Sequence, residues 1–113
     1  AKKLGYVYVD TGAMYRTLAW WALGRNLRLE KPMSDADEKA VNGLLRRWKA
    51  EMKVVNGQAW LHVDGYFPEK EIRTDVVEHA VPVIAQINRV RDWMVAKQRE
   101  CVKLGPLVME GRD

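Results

Sequence analysis

Residues 5–16, Gly5-Tyr6-Val7-Tyr8-Val9-Asp10-Thr11-Gly12-Ala13-Met14-Tyr15-Arg16, decide how this chain folds. Up to Asp10 the stretch is β-branched or aromatic without clean alternation. That pattern predicts a strand covered on both faces, as in a parallel sheet. Thr11-Gly12 then turns the chain into a helix. Tyr15, Leu18, Ala19, Ala22 and Leu23 form one apolar stripe, and Met14, Trp20 and Trp21 extend it around the axis. A helix this apolar needs cover on more than one side.

Outward from this unit, residues 26–32 read as a connector. Ser34-Asp35-Ala36-Asp37, just after Pro32, has the form of a helix start. Ala40, Val41, Leu44, Leu45, Trp48 and Met52 continue it as an amphipathic stripe, with Asn42-Gly43 a weak spot costing ~1 kcal/mol. Lys53-Val54-Val55, Asn56-Gly57 and residues 58–63 carry the strongest hairpin signal. Asp64-Gly65 is a second turn, and Tyr66-Phe67 is a candidate third short strand. This antiparallel unit lies between helical segments, so it is expected as an insertion or appendage to the parallel sheet. From Thr74 the pattern is helical. Pro82 predicts a short helix over 75–81, a break, and a new helix near Asn88, because proline lacks an N–H and clashes with the preceding turn. Val90, Trp93, Met94, Cys101 and Leu104 line the new helix, Gly105-Pro106 stops it, and residues 107–110 form the second candidate parallel strand.

The composition narrows the function classes. Of 113 residues, 48% are hydrophobic and 30% charged, which excludes a disordered or collagenous chain. No apolar run approaches the ~18 residues of a spanning helix. One Cys forms no internal disulfide and has no partner at metal-ligand spacing. The opening residues lack the charged-then-apolar pattern of a leader, so the expected compartment is the cytoplasm. A net charge of +4 suits an anionic ligand or partner without separating a nucleotide from a nucleic acid. Ala1-Lys2-Lys3-Leu4-Gly5 reads as the last turn of a helix, so the chain is expected to be a piece of a larger domain.

Three groups of residues could carry chemistry. Asp10, Thr11 and Arg16 stand at the carboxyl end of the first strand, the edge where open α/β sheets bind ligands and where a helix N-terminus offers N–H groups to an anion. The plain alternative is that Asp10 or Thr11 caps the helix and Arg16 is a solvated face residue. Glu110-Gly111-Arg112-Asp113 stands at the end of the second strand. There Arg112 could bind phosphate and Asp113 could accept from an amine or hydroxyl; the alternative is a solvated turn. Arg73 is expected at a helix start and Arg91 in the first turn of the next helix, positions unfavourable to a cation. Each is explained as well by a surface carboxylate neighbour as by a ligand. His62 and His79 lack metal-spaced partners and read as structural, and Cys101 as inert. The five Trp residues are spread along the chain and do not read as a base-stacking platform, which needs aromatics interleaved with Lys or Arg on one face.

Taken together, LGYVYVDTGAMYRTLAWWAL (4–23), EIRT (71–74), RVR (89–91) with QRE (98–100), and MEGRD (109–113) resemble bacterial cytidylate kinases over essentially the whole chain. The resemblance implies an α/β fold: an incomplete P-loop kinase core of two parallel strands with helices, carrying a small antiparallel insertion that binds the nucleoside monophosphate. It divides the chain into a core strand and helix (1–32), the insertion with its hairpin (33–88), and a helix and core strand (89–113). It implies CMP or dCMP as acceptor, with ATP and Mg²⁺ used by the parent enzyme. By position it implies that Thr11 and Arg16 hold the acceptor phosphate and Tyr15 packs beside the nucleotide. Arg91 and Arg112 would contact the phosphate or the cytosine edge, Asp113 the cytosine amino group, and Asp10 would lie near the phosphates and metal. The catalytic set would be Arg16, Arg112 and Asp10, with no metal ligand set in this chain. No G-x-x-x-x-G-K-[ST] loop occurs in the sequence, so no ATP site is expected here and the chain alone is expected to be inactive. Pro82 falls where the family often carries a Ser that reads cytosine, which puts base selectivity in question. The other readings are a basic interaction or nucleic-acid-binding module and another nucleotide-salvage kinase. A nucleic-acid partner is not the expectation. Exposed edges and apolar faces predict dimerisation or strand exchange.

Overall fold

A strand that passes directly into a helix fixes the centre of the molecule. The computed structural model describes residues 7–101 and the backbone of residues 107–110. Strand β1 (Val7–Asp10) leads without a loop into helix α1 (Thr11–Gly24). Helix α2 (Asp35–Arg47), the hairpin β2 (Ala50–Val55) and β3 (Gln58–Val63), and a 3₁₀ turn (Glu71–Arg73) follow. Helices α3 (Asp75–Ile84) and α4 (Asn88–Glu100) and strand β4 (Leu107–Glu110) complete the order.

The four strands make one sheet in the order β2-β3-β1-β4. Strands β1 and β4 are parallel, as predicted, in register from Val7 opposite Leu107 to Asp10 opposite Glu110. The hairpin is not an appendage. Its strand β3 lies parallel to β1, with Tyr8 opposite Gln58 and Val9 opposite Ala59. The reason is the alternation in β3: Ala59, Leu61 and Val63 are all buried, and pairing with β1 places that face against the core while satisfying backbone groups. Strand β1 also differs from expectation. Val7 and Val9 are buried, but Tyr8 and Asp10 on the other face are half-exposed, so one face is fully covered rather than two. Helix α1 packs against α3, α4, β3, β4 and the 3₁₀ turn, and Ala13, Met14, Tyr15, Leu18, Ala19 and Ala22 are all buried. That is the many-sided cover its sequence requires.

Helix α2 starts where the sequence predicts, with Ser34 Oγ accepting from the Asp37 N–H at 3.1 Å. It ends earlier than predicted. Trp48 is already extended and Met52 belongs to β2, not to the helical stripe. Spacing alone cannot separate the two, because Ala50 and Met52 also fit a period of two; pairing with β3 decides for the strand. Both hairpin turns have the left-handed pairs a tight reversal demands: Asn56 and Gly57 at φ 53° and 79°, Asp64 and Gly65 at 53° and 81°. The expected third strand shrinks to a single bridge between Val63 and Tyr66.

Helix α3 does not stop before Pro82 but runs through it to Ile84. The missing N–H would have bonded the Glu78 carbonyl, and both residues are exposed, so water can take that acceptor. Burial of Val77, Ala80, Val83 and Ile84 holds the helix on both sides of the proline. Helix α4 begins at Asn88 as predicted, and Val90, Met94 and Cys101 are fully buried. Burial pushes the Cys101 thiol pKa up, which keeps it unreactive. Leu104, the Gly105-Pro106 stop and the N-terminal helix end lie outside the described residues.

One exposed bond ties the hairpin to the 3₁₀ turn: the Tyr66 hydroxyl donates to Glu71 Oε2 at 2.5 Å. The bond holds the Glu71 carboxyl below its ordinary pKa and the Tyr66 phenol above its own. The Tyr66 contribution is therefore complete below the ordinary phenol pKa and lost as pH rises through the raised value. The Glu71 contribution is complete above the ordinary carboxyl range and lost as pH falls through the lowered one. Phenolate absorbance of the chain minus that of Tyr66→Phe should show Tyr66 ionising above an ordinary tyrosine, and Glu71→Ala should reduce that displacement. Pro82→Ala restores a backbone donor at an exposed helix position, so urea unfolding should show about 1–3 kcal/mol of added stability.

Candidate functional site

The site is built on one carboxylate. Asp10 ends β1 with extended backbone and caps α1, its Oδ1 accepting from the Ala13 N–H at 3.1 Å. Its Oδ2 lies 3.9 Å from Arg16 Nη2, so the guanidinium folds back over the first turn of α1. Gly12 makes room for this. A Cβ at residue 12 would sit 3.1 Å from Arg16 Nη1 and 3.3 Å from Asp10 Oδ1, tight contacts that would each have to ease by a few tenths of an ångström. Thr17 locks the turn beneath, its buried hydroxyl donating to the Ala13 carbonyl at 2.8 Å.

The magnitudes say what this pair can do. Both side chains are about a quarter exposed, 25% for Arg16 and 29% for Asp10. A loose pair of that kind contributes at most ~1 kcal/mol. A charge-assisted hydrogen bond from a guanidinium to an oxyanion contributes about 1.5–3 kcal/mol. Releasing Arg16 from Asp10 would therefore cost at most ~1 kcal/mol and leave the cap in place, because the cap uses the other carboxylate oxygen.

The structure gathers only some of the residues singled out by sequence. Asp10, Thr11 and Arg16 share the carboxyl end of β1, and the β1–β4 register sets Glu110 level with Asp10. Thr11 is 2% exposed, and Tyr15, 5% exposed, belongs to the core beneath. Arg91 lies exposed in α4, and its side chain makes no hydrogen bond or ion pair among the described residues. Arg112 and Asp113 lie outside the described residues. Arg73 ends the 3₁₀ turn and immediately precedes Thr74, the N-cap of α3, so it lies at a helix start as expected. His62 and His79 each hold a backbone carbonyl through Nδ1, those of Trp60 and Asp75, at 3.0 and 2.8 Å. The residue that sequence reasoning treated only as a turn former is Gly12. The signal was its place four residues before Arg16, one helical turn beneath it.

Among the described residues no cluster of three or more His, Cys, Asp or Glu could hold a metal ion. No helix among them is long and apolar enough to cross a membrane.

Two substitutions separate cap from pair. Asp10→Ala should lower stability by roughly 0.5–2 kcal/mol through loss of the cap, read by urea unfolding. Gly12→Ala should cost less stability than Asp10→Ala, since Ala favours helix by ~1 kcal/mol and offsets the crowding of the cap oxygen, while the Arg16 Nε–H resonance moves toward that of a solvated arginine.

The cytidylate kinase family model matches residues 1–113. The cytidylate kinases of Bacillus pumilus and a Geobacillus species are each 40% identical to the chain over 113 residues. That of Bacillus velezensis is 41% identical over 114 residues. All of this chain is covered in each case, against 48% of each relative, so the chain spans about half the length of the curated relatives it matches. With a parallel β1–β4 pair, a helix starting at the strand end and an arginine folded over that start, the chain belongs to the cytidylate kinase family.

Proposed function

We propose that this chain supplies the acceptor-binding half of a phosphotransferase that converts CMP or dCMP to the diphosphate at the expense of ATP. The observation that carries the reading is the Arg16 guanidinium, held over the start of α1 by Asp10 and across Gly12, at the ligand-binding edge of a parallel sheet. In this reading an acceptor phosphate displaces Asp10 from Arg16 and meets the N-terminal turn of α1, with Thr11 beside it. Arg112 and Asp113, which follow Glu110 in sequence, close the site from the β4 side, the one on phosphate and the other on the cytosine amino group. Arg91 approaches from α4, and Tyr15 supports the nucleotide from the core.

The reaction asks for this kind of site. A phosphate oxygen of the acceptor attacks the γ-phosphorus of ATP, and the bond to the departing ADP oxygen breaks. Little covalent work falls to the protein, so positioning and charge stabilisation dominate. Arginines suit that task because their planar forks hold phosphate oxygens in fixed directions. When bound, ATP supplies the phosphoryl group and Mg²⁺ neutralises its charge. The sequence contains no G-x-x-x-x-G-K-[ST] loop, so in this reading the groups that hold ATP and Mg²⁺ come from other parts of a longer protein.

The test uses the longer protein that contains this stretch. Arg16→Lys should raise KM for CMP by roughly tenfold or more with a smaller effect on KM for ATP, since a point charge replaces a two-pronged contact worth about 1.5–3 kcal/mol. The 113-residue chain alone should form no CDP above background. An unchanged KM in the variant, or turnover by the isolated chain, would overturn the reading. Running the same assay with dCMP, UMP and AMP decides the base, where Pro82 offers no hydroxyl to read it.

A further inference from the structure

In the sheet order β2-β3-β1-β4, strand β2 pairs with β3 alone, so its other side is an edge. Two observations fix which of its backbone groups face that edge. Asn56-Gly57 closes a two-residue hairpin with both residues left-handed, which makes Val55 and Gln58 a hydrogen-bonded pair. Beyond the far end of the ladder, the Asp64 N–H donates to the Lys49 carbonyl at 2.8 Å. Hydrogen-bonded and non-hydrogen-bonded pairs alternate along an antiparallel ladder, so Glu51, Lys53 and Val55 direct their N–H and C=O groups to β3. Ala50, Met52 and Val54 direct theirs outward, and none of them has a backbone bond to another described element.

The side chains divide in the same way. Ala50, Met52 and Val54 stand opposite the buried Val63, Leu61 and Ala59 on the core side of the sheet, and Val54 is still 37% exposed. Glu51, Lys53 and Val55 stand on the outer side and are exposed. Glu51 and Lys53 hold each other only loosely, with 3.8 Å between Oε1 and Nζ. A lysine on an edge strand ordinarily repels a second edge. Here a glutamate two residues away on the same side makes the edge self-complementary, but in one register only.

We propose that the β2 edge docks a second copy of this chain, whose β2 adds antiparallel about a two-fold axis at Met52. In that register Met52 meets its own counterpart, and Ala50 meets Val54 of the copy. These are the residues whose backbone groups face outward, so their pairs exchange hydrogen bonds. Glu51 then stands opposite Lys53 of the copy, and Lys53 opposite its Glu51. Both fall in non-hydrogen-bonded pairs, where side chains approach most closely, and opposite charges there stabilise the pairing. A two-fold axis at Glu51 would set glutamate against glutamate, and one at Lys53 lysine against lysine, so charge selects Met52. The pairing also covers Val54, one of the few large hydrophobic residues exposed on the chain. It does not rest on the acceptor-binding reading, since Asp10 lies on β1, two strands in from this edge.

The test follows the 113-residue chain by sedimentation equilibrium at loadings from about 10 μM to about 1 mM, where a reversible monomer–dimer equilibrium should appear. Glu51→Lys and Lys53→Glu each set like charges across the axis, so each variant alone should dimerise about tenfold more weakly or worse. Mixed in equal amounts, the two variants face each other with opposite charges and should form a heterodimer about as tight as the parent dimer. That recovery also shows that both variants are folded. Met52→Cys should cross-link between copies on oxidation, because a hydrogen-bonded pair holds its Cα atoms ~5.5 Å apart, within disulfide reach. Val54→Cys should not, since Val54 faces Ala50 and not its own counterpart. The parent, whose Cys101 is buried, serves as the blank. A monomer at every loading, single variants that dimerise like the parent, a mixture that does not recover, or a dimer whose Met52→Cys form stays uncrosslinked would each overturn the proposal.

Discussion

One carboxylate at the junction of β1 and α1 holds the candidate site together. Asp10 satisfies a helix N–H with one oxygen and positions the Arg16 guanidinium with the other. The two bonds differ in kind. The cap is a local hydrogen bond that sets where α1 begins. The ion pair is long and partly solvated, so it orients a cation without committing it. Strand β1, helix α1 and the sheet register with β4 all meet at this residue, and the edge they form brings a helix N-terminus and an arginine together.

The same device occurs twice. At Gly12 and again at Gly43 a helix omits a side chain so that an arginine four residues later can fold back across the gap. In both helices glycine costs backbone entropy, and in both the arginine tip lies where an added Cβ would crowd it. Arg16 is placed at the start of α1. Arg47 is placed at the end of α2, in a cleft it shares with Trp21 and Trp48. A spacing of four residues in an α-helix brings the two positions onto one face, which is why the pattern repeats.

Much of the architecture was legible in the residues themselves. The strand-to-helix step at Asp10, the Ser34 cap, the Asn56-Gly57 reversal and the start of α4 are local events, governed by side chains within a few residues of the feature they produce. The parallel pairing of β1 with β4 was also expected, since both segments are short apolar runs flanked by helices. The misreadings share a cause. Met52 satisfied two periodicities, and only the partner strand could choose between them. Pro82 looked like a terminator because its local cost is real, but the buried residues on either side of it outweigh that cost. The hairpin looked independent because its own turn is self-sufficient, yet its inner face needed β1.

For the candidate site the division is sharper. That Asp10, Thr11 and Arg16 share the end of β1 could be read from type and spacing, because a strand that passes directly into a helix puts its next residues at the helix start. The sequence by itself determined where strands turn into helices, where the caps and left-handed turns fall, and which faces are apolar. The tertiary structure alone decided which strand neighbours which and that Tyr15 joins the core. The physical reason is range: caps and turns act over a few residues, whereas burial and strand pairing depend on contacts that exist only after the chain has closed on itself.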